Sequence, residues 1–147
     1  MTRKIPGSAL SIISKHSNIV VNRKIRPPTK TEILDGVRNT DAILCTLIDK
    51  IDADIIDAAG PSLRVISSYS TGVDHIDIEY ATKKGISVTT TGDILTETVA
   101  DLTFALILGV SRLITQAYEL VICNRWKYGW DANLMLGSDV HNKTLGI

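Results

Sequence analysis

The chain has 147 residues, of which 44% are apolar and 22% charged, the balance of a folded globular protein with one sizeable core. Sixteen basic residues cancel sixteen acidic ones, so no field of one sign is on offer, and neither nucleic acid nor an anionic membrane is expected as a partner. Cys45 and Cys123 stand in separate apolar runs and outside any C-x-x-C spacing; reduced, buried thiols are expected, and no metal site is read from them.

The N-terminus, Met1-Thr2-Arg3-Lys4-Ile5-Pro6, lacks the apolar core of a signal peptide. Ala9, Leu10, Ile12 and Ile13 then recur at helical spacing over residues 7–15, followed by the β-branched Ile19-Val20-Val21. Pro27-Pro28 breaks the chain. Thr29 and Glu32 have the T-x-x-E spacing of a capping box, and Ile33, Leu34 and Val37 continue that helix on one face. Residues 41–47 form a nearly unbroken apolar run of strand length, as suits a parallel strand covered on both faces. A helix over 52–59 ends near Gly60-Pro61, a strand covers 63–67, a helix over 78–84 ends at Gly85, and a short strand covers 86–89. This βαβα order with short links predicts an α/β fold, a flavodoxin-like parallel sheet flanked by helices.

After a loop at 90–95, the stretch from Thr96 to about Cys123 contains no Pro and only Gly109, so it is predicted as one long helix, roughly 40 Å at 1.5 Å per residue. Val99, Leu102, Phe104, Leu106, Ile107, Leu108, Val110, Leu113, Ile114, Leu120 and Val121 cover more than one stripe of it. Such a helix needs apolar neighbours on several sides, which implies a second domain or another subunit. Its longest greasy run, 102–110, is interrupted by Thr103 and falls short of the roughly 20 residues of a membrane span. A cytoplasmic protein is expected.

In open parallel sheets, ligands bind beyond the carboxyl ends of the strands. Ser70-Thr71-Gly72-Val73-Asp74 follows one strand there, and Leu47-Ile48-Asp49-Lys50 follows another. Gly72 permits close backbone approach and a conformation that other residues avoid. Consecutive N–H groups around Thr71–Val73 are placed to form a nest for an anion; a turn glycine between strand and helix is the plainer alternative. Asp77, just before a helix, reads as a cap, Asp74 as a brace for the loop, and Glu97 and Asp101 as acidic residues complementing a helix dipole.

The run from Leu63 to Ile78 contains Gly72-Val73-Asp74-His75-Ile76-Asp77, a G-x-D-x-I-D stretch. Ala81 through Thr89 reads A-x-x-x-G-I-x-V-T; Leu95 through Leu102, Phe104-Ala105-Leu106, Trp126-Lys127, Trp130, Leu136-Gly137 and Lys143-Thr144-Leu145-Gly146-Ile147 follow in order. Over nearly its whole length the chain resembles the D-isomer-specific 2-hydroxyacid dehydrogenases, and within them the glyoxylate/hydroxypyruvate reductase branch. That resemblance implies reduction of a small 2-oxoacid to a D-2-hydroxyacid by hydride from NADH or NADPH, in a two-lobed subunit that forms a homodimer through the long helix.

Residue by residue, the resemblance implies that backbone amides at Thr71 and Gly72 hold the substrate carboxylate, that Leu47 forms an apolar wall, and that Val99 touches the nicotinamide end of the cofactor. Trp130 matches an aromatic residue reaching the neighbouring subunit's active site. Val73 stands where relatives carry an aromatic residue. His75 occupies a variable position and is assigned a structural role; His16 and His141 are expected in solvent.

The resemblance divides the chain into a substrate-binding lobe at 1–95, the interdomain and dimer helix at 96–125, a loop toward the partner subunit at 126–143, and the start of a nucleotide-binding lobe at 144–147. It further implies that the G-x-G-x-x-G loop and the catalytic arginine, glutamate and histidine lie beyond Ile147, and that the lobe at 1–95 is incomplete at its N-terminus, lacking the short apolar strand that relatives carry just before the stretch matching Thr2–Pro6. On that basis the 147 residues are expected to be inactive alone, marginally stable and prone to associate. A non-catalytic interaction or dimerisation fragment, and a free-standing module for a small carboxylate, are the competing readings.

Overall fold

A computed structural model describes residues 1–146. The chain divides into two compact units, Met1–Ile94 and a second from Leu95 onward.

In the first unit, α1 (Gly7–Ser14) and α2 (Lys30–Gly36) precede β1 (Ala42–Cys45), α3 (Ala53–Ala59), β2 (Val65–Ser68), α4 (Ile78–Lys83) and β3 (Ser87–Thr89). The strands form a parallel sheet in the order β1-β2-β3, with Ile43 opposite Ile66 and Ile66 opposite Val88. The helix starts are fixed by local chemistry. Thr29 and Glu32 close the capping box at α2, Asp52 accepts from the Ile55 N–H at α3, and Asp77 from the Tyr80 N–H at α4. Gly85, at φ 73°, turns the chain out of α4 into β3 at low steric cost.

Ile43, Cys45 and Ile66 from the strands pack with Ile33 of α2 and Val37 at its C-terminal cap, Ile55, Ile56 and Ala59 of α3, and Ala81 of α4. Burial alternates along β1 and β2, so one sheet face is sealed and the other only partly covered. The expectation of two covered faces is corrected here, because α1 contributes no buried residue.

No strand forms at 19–21. Those residues are nevertheless aligned with the sheet. The Met1 ammonium donates to the Val20 carbonyl at 2.8 Å, the Asn22 N–H to the Met1 carbonyl at 3.1 Å, and the Thr2 N–H to the Leu44 carbonyl at 2.9 Å. Met1-Thr2 therefore lies between 20–22 and β1, the flavodoxin-like order, with too few ladder bonds to make strands. A cavity of about 160 Å³ sits beside this pairing, lined by Thr2, Val20, Ile33, Val37 and Ile43 among others.

The second unit holds the largest departure from expectation. The long helix is broken into α5 (Thr96–Ser111, 16 residues) and α6 (Ile114–Ile122, 9 residues). Leu113 sits in the left-handed region at φ 54°. The Ser111 carbonyl, which a continuous helix would pair four residues on, instead accepts from the Ser138 N–H at 2.7 Å. Arg112 is salt-bridged to Asp139 at 2.7 Å, and a Cβ on Gly137 would lie 2.5 Å from the Ser111 oxygen. Docking of 137–139 thus stabilises the break.

No residue of α5 or α6 is buried. A 3-10 turn (Gly92–Leu95) runs into α5, and the combined Gly92–Ser111 stretch has 20 residues, with a mean hydropathy of 1.6 over an 18-residue window. By length and composition it is able to span a membrane. The shorter apolar run at 102–110 omitted the contribution of this turn. Thr144, Leu145 and Gly146 belong to no strand, and Ile147, the remainder of the segment assigned to a nucleotide-binding strand, lies outside the described residues.

Candidate functional site

The carboxyl ends of β1 and β2 are adjacent, and the Tyr69 N–H extends their ladder to the Cys45 carbonyl at 2.8 Å. The loops beyond them are then joined again. The Ile51 N–H donates to the His75 carbonyl at 2.8 Å, and the Asp77 N–H to the Ile51 carbonyl at 2.9 Å. From a third side, the Thr91 N–H donates to the Ser70 carbonyl and the Thr71 hydroxyl to the Gly92 carbonyl. The loop Ser70–Asp74 is therefore held at its two ends through Tyr69 and His75, and fastened through Ser70 and Thr71 to residues 91–92.

Within that loop, the backbone N–H groups of Thr71, Gly72 and Val73 donate to no acceptor among the described residues. Thr71 and Gly72 are exposed. Unpaired, positioned amides are suited to receive an anion. Gly72 corrects one expectation: its φ lies outside the left-handed region, so its backbone conformation does not require glycine. A Cβ there would meet only the Asp74 carboxylate, at 4.0 Å. What glycine provides is open space. Asp74, expected to brace the loop, forms no hydrogen bond or ion pair among the described residues.

β1 ends at Cys45, so Leu47 falls in the following turn, where it is 64% exposed. Asp49, only 2% exposed, organises that turn. Its Oδ2 accepts from the Thr2 hydroxyl at 2.7 Å, the Thr46 N–H at 2.9 Å and the Thr46 hydroxyl at 2.7 Å. Its Oδ1 has no hydrogen-bond partner among the described residues.

Behind the loop lies a polar cluster that inspection of the sequence did not identify. His75 Nε2 is 3.1 Å from Ser68 Oγ, Ser68 Oγ is 2.7 Å from Ser70 Oγ, and the Ser70 hydroxyl donates to the Gly72 carbonyl at 2.8 Å. The available signal was the pair Ser68 and Ser70, two apart at the end of an apolar strand and hence on one face. Cys45 adjoins this cluster, fully buried, with its sulfur 3.9 Å from His75 Nε2. Burial, reinforced by the nearby Asp49 carboxylate, pushes its thiol up to about 12, which rules it out as a thiolate nucleophile at neutral pH. Cys123, expected to be buried, is exposed.

Leu47, Thr71 and Gly72 belong to the first unit, whereas Val99 and Trp130 belong to the second. Val99 is exposed in the first turn of α5, and Trp130 is 85% exposed beyond α6. A hollow of about 290 Å³ beside α6 is lined by Leu120, Arg125, Trp126, Tyr128 and Leu134, but not by Trp130. The 160 Å³ cavity of the first unit is lined by none of the expected site residues; it is a packing gap at the sheet edge. Among the described residues, no group of three or more His, Cys, Asp or Glu is placed to hold a metal ion.

Residues 1–132 match the family model for the catalytic domain of D-isomer specific 2-hydroxyacid dehydrogenases, and the chain belongs to that family. It is 45% identical over 148 residues to a glyoxylate reductase of Thermofilum pendens, covering 100% of this chain and 43% of that protein. A glyoxylate reductase of Korarchaeum cryptofilum is 42% identical over 147 residues, with 100% and 44% covered. The chain thus spans less than half the length of these relatives. Among solved structures, the TT0316 protein of Thermus thermophilus superposes with a TM-score of 0.86 at 40% identity, over 94% of this chain and 44% of that one. An NADPH-dependent glyoxylate/hydroxypyruvate reductase of Sinorhizobium meliloti, in complex with NADP and malonate, gives 0.68 at 29% identity, over 84% and 37%.

Proposed function

We propose that this chain forms the substrate side of an NADH- or NADPH-dependent reductase that converts glyoxylate or hydroxypyruvate to the D-2-hydroxyacid. The observation that carries this proposal is the run of N–H groups at Thr71, Gly72 and Val73, left without internal acceptors on a loop held at both ends and along Ser70–Thr71. A hydrogen bond to a charged group contributes about 1.5–3 kcal/mol, so two or three of them hold a small carboxylate usefully. In this proposal Leu47 is the apolar wall of the pocket. Trp130 contributes to a neighbouring subunit's site in a homodimer formed through α5 and α6, and the protein is cytoplasmic.

The chain's own residues bind and orient the acid. When bound, the cofactor supplies the hydride. Its pyrophosphate needs a glycine-rich turn from strand to helix, and these 147 residues contain no G-x-G-x-x-G. Val99 alone is assigned to the nicotinamide end. The residues present therefore do not form a dinucleotide site by themselves, and no proton donor for the substrate carbonyl is assigned among them.

Two measurements test this. Titration of the ¹⁵N-labelled chain with D-glycerate is expected to shift the amides of Thr71, Gly72 and Val73; shifts confined elsewhere, or none, overturn the carboxylate site. The purified 147-residue protein is expected not to oxidise NADH or NADPH with glyoxylate, and turnover well above background would show that it carries a complete active site. The exposed apolar helices favour a second reading, a non-catalytic partner of longer relatives. Heterodimers on mixing with a full-length glyoxylate reductase, without any D-glycerate effect at Gly72, would support it.

A further inference from the structure

We propose that His75, Ser68 and Ser70 form a directed hydrogen-bond chain that fixes the Gly72–Val73 peptide, making them positioning residues for the carboxylate site. The proposal rests on the carboxylate reading above. The proton order follows from the acceptors. Gly72 O can only accept, so the 2.8 Å contact uses the single proton of Ser70. The 2.7 Å contact between the two serine oxygens must then use the proton of Ser68. Ser68 Oγ, having donated, accepts from His75 at 3.1 Å, which places a proton on Nε2. The Cys45 thiol donates toward the Ser67 carbonyl at 3.7 Å, so its sulfur also faces that Nε2–H as an acceptor.

The chain therefore runs in one direction, from the imidazole through two hydroxyls to the Gly72 carbonyl. A trans peptide is planar, with its C=O and N–H pointing opposite ways. Drawing the Gly72 carbonyl toward Ser70 turns the Val73 N–H away from Ser70, where it has no internal acceptor. His75 is anchored by its own carbonyl, which accepts from Ile51, and Ser68 is 2% exposed at the end of β2. The sheet register thus sets the direction of an amide several residues further along.

Ser70→Ala and Ser70→Thr test the device in the 147-residue chain by NMR. Without ligand, the unaltered protein is expected to show His75 with Nε2 protonated, at a pH where the ring is neutral, and rigid Gly72 and Val73 amides. S70A is expected to loosen both amides, leave the melting temperature nearly unchanged, and weaken D-glycerate binding about five-fold as preorganisation is lost; S70T is expected to restore all three. An Nδ1-protonated ring, or S70A amides and affinity identical to the unaltered chain, overturns the hydrogen-bond chain alone. Failure of D-glycerate to perturb Gly72 or Val73 in the unaltered chain overturns the carboxylate reading, and with it the purpose assigned to this device.

Discussion

Cys45 and Cys123 carry the same thiol in opposite environments. The first is fully buried, and desolvation together with the Asp49 charge holds it as a thiol; the second is exposed beyond α6. Ellman's reagent is expected to titrate one thiol in the native protein, and the second only in denaturant. Two fast equivalents would show that the β1 end opens readily. Glu32 offers a second test. Hydrogen bonds from Arg26, then Lys24 and the Thr29 N–H, hold its carboxyl well below the usual carboxylate range. A folded value below the unfolded one, about 4.3, means the stabilisation is present above the unfolded value and is lost as pH falls through the folded one. Glu32→Gln retains a capping acceptor but no charge, so its stability is expected to depend less on pH in the acid limb. Urea melts followed by circular dichroism between about pH 5 and pH 2 check this.

At the scale of elements, the break between α5 and α6 is held by the docking of 137–139, and within it one approach is closest. Gly137 brings its backbone against Ser111 so closely that a methyl group would overlap the carbonyl oxygen. Gly137→Ala is expected to cost about 1–3 kcal/mol, the usual range for overpacking, read as a lower urea midpoint. An unchanged midpoint would show that 137–139 does not hold the break. This element also marks the limit of what the sequence reveals. The capping box at Thr29, the caps at Asp52 and Asp77 and the turn at Gly85 were legible because each is decided within a few residues. The break at 112–113 was not, because residues about 25 positions later decide it. The loop of Thr71 and Gly72 was legible through its motif and its place after a strand. The cluster of Ser68, Ser70, His75 and Cys45 was hidden, since the fold of the loop brings His75 back to Ser68 and the sheet register sets Cys45 beside Ser68.

At the scale of the molecule, the two units differ in how they treat apolar surface. The first buries Ile43, Ile51, Ile55 and Ile66 almost completely, whereas Leu102, Phe104, Leu106 and Val110 of α5 and Val121 of α6 are all more than half exposed. Contiguous apolar surface on this scale favours association in water. Sedimentation velocity is expected to show self-association that grows with concentration, and a thermal midpoint that rises with it. Leu106→Glu probes the same surface without disturbing a core, since Leu106 is 61% exposed. An unpaired charge carried into a dry contact costs several kcal/mol, so self-association is expected to weaken by about ten-fold or more while helix content holds. If L106E associates as strongly as the unaltered chain, α5 is not the contact surface, and the homodimer proposed for the active site must be built elsewhere.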